Sequence, residues 1–288
     1  MSQDWLRNPV RMWCFDLGAG FTYYVVMLYS SLRFRSIICV LFLSISVFLK
    51  ASPPHLLAED FELVKLADGF GSLEGPVWIS QGNYLVFSDQ NGGKEYKWTP
   101  EEGAVLLRDL GGKVNGHAVD LQGRLIVCES DKRQITRIEE DGSVTVLASG
   151  IGRQRLNAPN DVVVKSDGTI WFTDPNFGLS TGENRQYVYR YNPATDTLTD
   201  VITDQNHKPN GLGFSPDEKF FYLNVNEFNQ VRKYGVNDDG SLTDLGLIIT
   251  KMSMWPDGMA VDTDGNLWIA IYAGTQKAST FIHLKGNG

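Results

Sequence analysis

The sequence is poor in the residues that build disulfides and soft metal sites: its 288 residues hold 3 Cys and 4 His. Cys14 and Cys39 fall in the N-terminal stretch, so Cys128 stands alone in the remainder and no internal disulfide is available there. Positive charge is also scarce, with 26 Lys and Arg against 34 Asp and Glu. Residues 1–51 carry 5 of those bases and 2 of those acids, which leaves 21 against 32 beyond them and a net charge of −11. Such a surface argues against nucleic acid and anionic membranes as partners and suits a cation or a neutral small molecule. Beyond residue 60 no stretch carries the 3.6-residue period of an amphipathic helix. At 42% hydrophobic residues the chain can nonetheless bury a sizeable core. Cys128 sits in the apolar run Leu125-Ile126-Val127-Cys128 and reads as a small buried hydrophobe rather than a nucleophile.

Residues 1–51 read as a targeting leader. Arg33 and Arg35 precede an apolar run from Ile37 to Leu49 and then Lys50-Ala51-Ser52-Pro53-Pro54, the basic, apolar, small-residue order of a secretory signal. The 13 residues of the run are short for a membrane span, and cleavage is expected after Ala51. A periplasmic or secreted protein follows, with no stable membrane partner after cleavage; an uncleaved N-terminal anchor is the alternative. Because 32 residues precede Arg33, Met27 is the better candidate for the true start.

From about residue 61 to 288 the chain alternates short apolar runs with Gly-containing turns, which means strands. One unit reads completely: Gly116 to Leu121, Arg124 to Ser130, Gln134 to Glu140 and Ser143 to Ser149. Four antiparallel strands in about 40 residues make one β-propeller blade. Its first turn recurs at Gln81-Gly82, Gln122-Gly123, Asp167-Gly168, Asp217-Glu218 and Asp264-Gly265, at spacings of 41, 45, 50 and 47 residues. The fold class is therefore all-β, with residues 52–288 as a propeller.

A related pentapeptide precedes each of those turns, led by Glu74, Asn115, Asn160, Asn210 and Asp257. Each leading residue carries a side-chain oxygen, and the first strand of every blade lines the propeller axis, so the five converge. Carboxylate and amide oxygens with little His and no Cys are what a hard divalent cation such as Ca2+ or Mg2+ selects. Asn and Asp before Gly are also ordinary turn formers, which is the bland explanation for each one singly. His117, two residues beyond Asn115, is expected on the same side of its strand as a polar contact or proton carrier, with a satisfied structural histidine as the alternative. Asp174 divides between a turn role and a place at the pocket mouth, and His207 reads as a loop residue.

The strings EGPVW at 74, APNDVVV at 158, FTDPNFG at 172, KPNGLGFSPD at 208 and PDGMAVDTDGNLW at 256 resemble the gluconolactonase, regucalcin and luciferin-regenerating-enzyme family, in particular its bacterial gluconolactonase branch. The resemblance implies a six-bladed propeller holding one divalent cation, Ca2+ first, with Mg2+, Mn2+ or Zn2+ as alternatives. It implies Glu74, Asn210 and Asp257 as metal ligands, Asp257 also as general acid/base, and Asn160 as a substrate contact near the metal. Asn115 and His117 are kept as further substrate-side candidates. Ala158 stands where regucalcin-like members have Arg, so sugar contacts attributed to that Arg do not carry over. Residues 61–288 amount to about five blades, and the expected sixth is missing at the C-terminal end, which reads as a truncated ring.

The activity implied is divalent-metal-dependent hydrolysis of a sugar lactone, requiring no Ser or Cys nucleophile. The alternatives are a non-catalytic cation-binding or interaction propeller, and another metal-dependent hydrolase or synthase chemistry in the same channel.

Overall fold

The computed structural model describes residues 63–177, 185–204, 208–252 and 254–272, and the backbone alone of strands at 10–16, 22–28, 38–44 and 282–284. Between residues 73 and 284 five antiparallel sheets follow one another along the chain. Blade one comprises Leu73–Ile79, Tyr84–Asp89, Lys94–Thr99 and Gly103–Asp109. Blade two comprises His117–Val119, Leu125–Glu129, Gln134–Ile138 and Val144–Ala148, inside the four runs read from the sequence. Blade three follows with Val162–Val164, Ile170–Asp174, Gln186–Asn192 and Thr197–Asp204. Blade four has Pro209–Phe214, Phe220–Val225, Gln230–Val236 and Leu242–Ile249. Blade five has Trp255–Val261, Leu267–Tyr272 and Ile282–Leu284. In each sheet the strands pair in chain order, the meander that marks a propeller blade.

The inner strands of blades one to five neighbour one another in sequence order around a ring. A further sheet, ordered Ile38–Ser44, Thr22–Leu28, Val10–Asp16 and Leu63–Asp68, has its first strand between the inner strands of blades five and one. Its last pairing, of Val10–Asp16 with Leu63–Asp68, is parallel. Ala51 and the rest of the proposed cleavage region lie outside the described residues.

The first turn of each blade has a consistent chemistry. In blades two, three and five, Gly123, Gly168 and Gly265 take φ of 84°, 84° and 81° and donate N–H to the carbonyl three residues back. Asp120 and Asp262, at the start of two of these turns, accept backbone N–H groups of the turn through Oδ1. Where the fourth-blade turn lacks Gly, Glu218 adopts φ 56° instead; in blade one the positive φ falls on Asn83 rather than Gly82. The landmark seen in sequence is thus a position needing left-handed backbone, which Gly fills most easily.

The core lies between blades rather than at a single centre. Ile79, Val86, Leu125 and Val127 pack blade one on blade two, and Ile126, Ile135, Phe172 and Tyr189 pack two on three. Between three and four, fully buried Trp171 meets Phe214 edge-on at 5.2 Å and donates its Nε1–H to Thr169. Cys128 is fully buried within the second of these layers, as an inert hydrophobe, and burial pushes its thiol pKa well up.

Candidate active site

The five oxygen-bearing residues meet as the sequence predicts: Glu74, Asn115, Asn160, Asn210 and Asp257 all line one cavity of about 660 Å³ at the entrances of the inner strands. The backbone treats all five alike. The pairing of inner strand with second strand is interrupted by a bulge between Glu74 and Val77, between Pro209 and Leu212, and between Pro256 and Met259. Glu74, Asn210 and Asp257 therefore each stand at a β-bulge, a device that re-aims a side chain off the regular pleat. Asn115 and Asn160 stand just before their inner strands begin but are held alike. Asn115 N–H donates to the Cys128 carbonyl while Cys128 N–H donates to Gly116, and Asn160 N–H donates to the Thr173 carbonyl while Thr173 N–H donates to Asp161, so here too two residues oppose one.

Inter-blade hydrogen bonds form a repeated system. Gly116 N–H donates to the Asn160 carbonyl at 2.8 Å, Ser88 Oγ donates to the Asn115 carbonyl at 2.8 Å, and Asn224 Nδ2 donates to the Asp257 carbonyl at 2.7 Å. Each link runs from one blade to the leading residue of the next. The glycines after the leading residues make this approach possible: a Cβ on Gly75 would stand 2.3 Å from the Asn115 oxygen, and one on Gly211 2.5 Å from the Asp257 oxygen. Blade three breaks the rule with Asp161, whose Oδ1 accepts the Val162 N–H at 2.9 Å.

A second repeated device lies behind the cavity. Asp89 accepts the N–H of Gly71 and Ser72 at 3.1 and 2.9 Å, Asp131 that of Lys113 at 2.8 Å, and Asp174 those of Asn157 and Ala158 at 2.7 and 2.9 Å. In each case the clamped backbone lies two or three residues before the leading residue. Asp174 is fully buried, so it belongs to this clamp and not to the pocket mouth. The signal was available as the recurrent hydroxyl-aspartate pairs Ser88-Asp89, Ser130-Asp131 and Thr173-Asp174.

His117 departs from the expectation of a substrate contact. Its side chain has no exposed surface and does not line the cavity; it lies between blades one and two against Gly75, Ser88 and Glu95. His117 and Asn115 do not share a face because Asn115 and Gly116 both oppose Cys128, and that extra residue breaks the pleat between them. His207 lies outside the described residues.

Electrostatically the cavity floor is a cluster of acids. Glu74 is held well above the ordinary carboxylate range by burial, then by the negative charges of Asp257 and Asp161, with the Gly75 N–H opposing. Burial also raises Asp257, against the Asn210 amide that donates to its Oδ1 at 2.9 Å. Asp161 is pushed up to about 7, chiefly by burial, against N–H bonds from Val162 and Leu212. Of the two lysines lining the cavity, Lys208 is paired with Glu227 at 3.2 Å.

This donor set fits a hard cation. Among the described residues no three Asp, Glu, His or Cys side chains converge closely enough to hold an ion alone, so amide oxygens must complete any site. The Asn210 amide NH2 is already spent on Asp257 and on Asn226 Oδ1, which leaves its Oδ1 as the atom offered to a ligand. Two adjacent buried carboxylates raise each other's pKa unless a cation neutralises them.

The string Gly178-Leu179-Ser180-Thr181-Gly182 has the spacing of a nucleophile elbow. It falls outside the described residues, between strands Ile170–Asp174 and Gln186–Asn192, which pair with each other antiparallel, whereas that motif joins a strand to a helix.

Residues 73–285 match the family model described as the SMP-30/Gluconolactonase/LRE-like region. A gluconolactonase of Zymomonas mobilis is 29% identical over 232 residues, covering 70% of this chain and 65% of that protein, so the chain spans just under two thirds of that relative. Rabbit (Oryctolagus cuniculus) regucalcin is 28% identical, over 70% of this chain and 68% of its own. Among solved structures, a gluconolactonase from Xanthomonas campestris is 35% identical with a TM-score of 0.65, covering 70% of each chain. A nidogen/laminin complex, 14% identical at TM-score 0.58, shares the fold alone. Sheets, bulged inner strands and family match agree: the chain belongs to the SMP-30/gluconolactonase/LRE-like family of β-propellers.

Proposed function

We propose that this protein hydrolyses a sugar lactone in the cavity, with a divalent cation, Ca2+ first, bound by Glu74, Asn210 and Asp257. The observation that supports it most is the convergence on one cavity of Glu74 and Asp257, the two carboxylates among the five leading residues, with the Asn210 amide bonded to Asp257. The gluconolactonase relatives supply the substrate class, and regucalcin, described as a calcium-binding protein in its Agrobacterium tumefaciens form, supports the cation. When bound, the cation supplies Lewis-acid polarisation of the lactone carbonyl.

The chain's own residues account for the rest. Asp257 takes a proton from the water that adds to the carbonyl and returns it to the ring oxygen as the acyl C–O bond breaks, releasing the hydroxy acid. A carboxyl lifted by burial and steadied by the Asn210 amide is suited to both halves of that exchange. The Asn160 and Asn115 amides face the cavity and orient the sugar hydroxyls. Exposed Trp255 lines the same cavity and offers an apolar face to a sugar ring.

Base uptake in a pH-stat on glucono-1,5-lactone, with and without chelator, tests the reading. Turnover is expected to vanish with chelator and return with Ca2+. Asp257→Asn should lower kcat by about 10²–10⁴-fold, the usual contribution of a positioned acid/base. Chelator-resistant turnover, or an unimpaired Asp257→Asn enzyme, overturns it.

A further inference from the structure

His117 is buried, charged at its flanks and unused by the chemistry above. Its two ring nitrogens face different blade-one elements. Nδ1 lies 2.6 Å from the Gly75 carbonyl oxygen, and Nε2 lies 3.1 Å from Glu95 Oε1 and 3.5 Å from Ser88 Oγ. A carbonyl oxygen can only accept, so Nδ1 carries a proton. Ser88 donates its own hydroxyl proton to the Asn115 carbonyl, so it too can only accept from Nε2.

Glu95 settles what Nε2 meets. Arg108 contacts it twice, through Nε and Nη2, at 2.5 and 2.7 Å. Burial favours the neutral acid, but a guanidinium bonded to both carboxyl oxygens keeps Glu95 ionised whatever the state of His117. An ionised carboxylate accepts only, so Nε2 also carries a proton and the ring is an imidazolium. The other groups facing it are uncharged: Ser88 from the second strand of blade one, the Gly75 carbonyl from the first, and Val127, its pairing partner in blade two.

The second target of this cation is the peptide joined directly to the site. Gly75 follows Glu74 within the bulge and sits at φ +52°, where any side chain would strike the Asn115 carbonyl. Backbone in that region persists only when its surroundings hold it.

We propose that His117 is a positioning residue: the Arg108–Glu95 pair holds its imidazolium on the Gly75 carbonyl, which fixes the bulge and aims the Glu74 carboxylate into the cavity. The proposal rests on Glu74 being a ligand of the site, as argued above. It makes a three-residue relay, Arg108 to Glu95 to His117, reach from an outer strand to the cavity floor.

The test uses the whole chain and three readouts. In 15N NMR, His117 is expected to show both ring nitrogens protonated, and a single protonated nitrogen overturns the proposal. In His117→Ala, the 13C carboxyl resonance of Glu74 is expected to move relative to wild type, while the Asp244 carboxyl, on the outer strand of blade four, stays. Both unmoved in a folded variant overturns it. Calorimetric titration with Ca2+ should give a Kd raised about 10–100-fold in His117→Ala, the usual cost of losing a group that orients a ligand. Glu95→Gln, which keeps an acceptor but loses the charge, should show a smaller rise. Wild-type affinity in both variants overturns the proposal, whereas failure of wild type to bind Ca2+ sinks the metal reading and leaves the two NMR readouts to decide this one.

Discussion

Glu95 has no exposed side-chain surface, yet the fold keeps it ionised, and that couples stability to acid. Its pKa lies at about 2 in the folded chain against an ordinary 4.5. A depressed carboxylate stabilises the fold fully above its unfolded pKa and loses that contribution as pH falls through the folded one. The window is therefore about pH 4.5 down to 2. A shift of this size corresponds to roughly 3 kcal/mol at most, at about 1.4 kcal/mol per unit. Urea unfolding followed from pH 7 to pH 3 should show the loss, and Glu95→Gln should flatten it while lowering stability at pH 7. None of this was legible in the sequence: Arg108 and His117 lie 13 and 22 residues from Glu95, on three strands, and it takes strand pairing within blade one and packing between blades one and two to join them. Cys128, by contrast, was readable because it belongs to an apolar run, and every residue of that strand is buried.

At the scale of the element, the inner strands carry the site by being irregular. Glu74, Asn210 and Asp257 depend on bulges, and the glycine after each of Glu74 and Asn210 lets the neighbouring blade's carbonyl approach. Gly211→Ala places a Cβ 2.5 Å from both the Asp257 carbonyl oxygen and the Met259 nitrogen, atoms of backbone that cannot rotate away. Overpacking of this kind costs about 1–3 kcal/mol. Because the displaced backbone carries Asp257, lactonase kcat should fall by more than thermal stability alone explains. Measuring Tm and kcat together checks this, and a variant with lowered Tm but wild-type kcat would refute the link. The repeated Gly and the leading oxygens were visible as aligned pentapeptides, since identical backbone demands recur at blade period. The bulges were not, because a bulge is a relation between two strands and leaves no residue type of its own. The aspartate clamps fall between these cases: the pairs at 88, 130 and 173 recur visibly, but what they accept is fixed only by the fold.

For the whole molecule, two accounts of residues 1–51 exclude one another. In the structure, Ile38–Ser44 runs between the inner strands of blades five and one, and its sheet ends on Leu63–Asp68. On the proposal that residues 1–51 are an export leader, that strand is absent from the mature protein, and Leu63–Asp68 loses its partner Val10–Asp16. Strand edges left in this way present unpaired N–H and C=O groups, a costly arrangement for a ring unless another chain segment covers them. What supports the leader proposal is the order of charges and apolar residues around Arg33 to Ala51, which matches that of a secretory signal. Expression of the full chain in a bacterial host, followed by mass spectrometry of the protein recovered outside the cytoplasm, is expected to give Ser52 as the first residue. Recovery of folded protein with residues 10–44 intact would instead make the leader part of the propeller. Removing residues 1–51 genetically should then lower Tm by several degrees, since each kcal/mol lost is worth about 2–4 °C in a domain of this size. If export and cleavage hold, the same deletion leaves Tm of the mature protein unchanged.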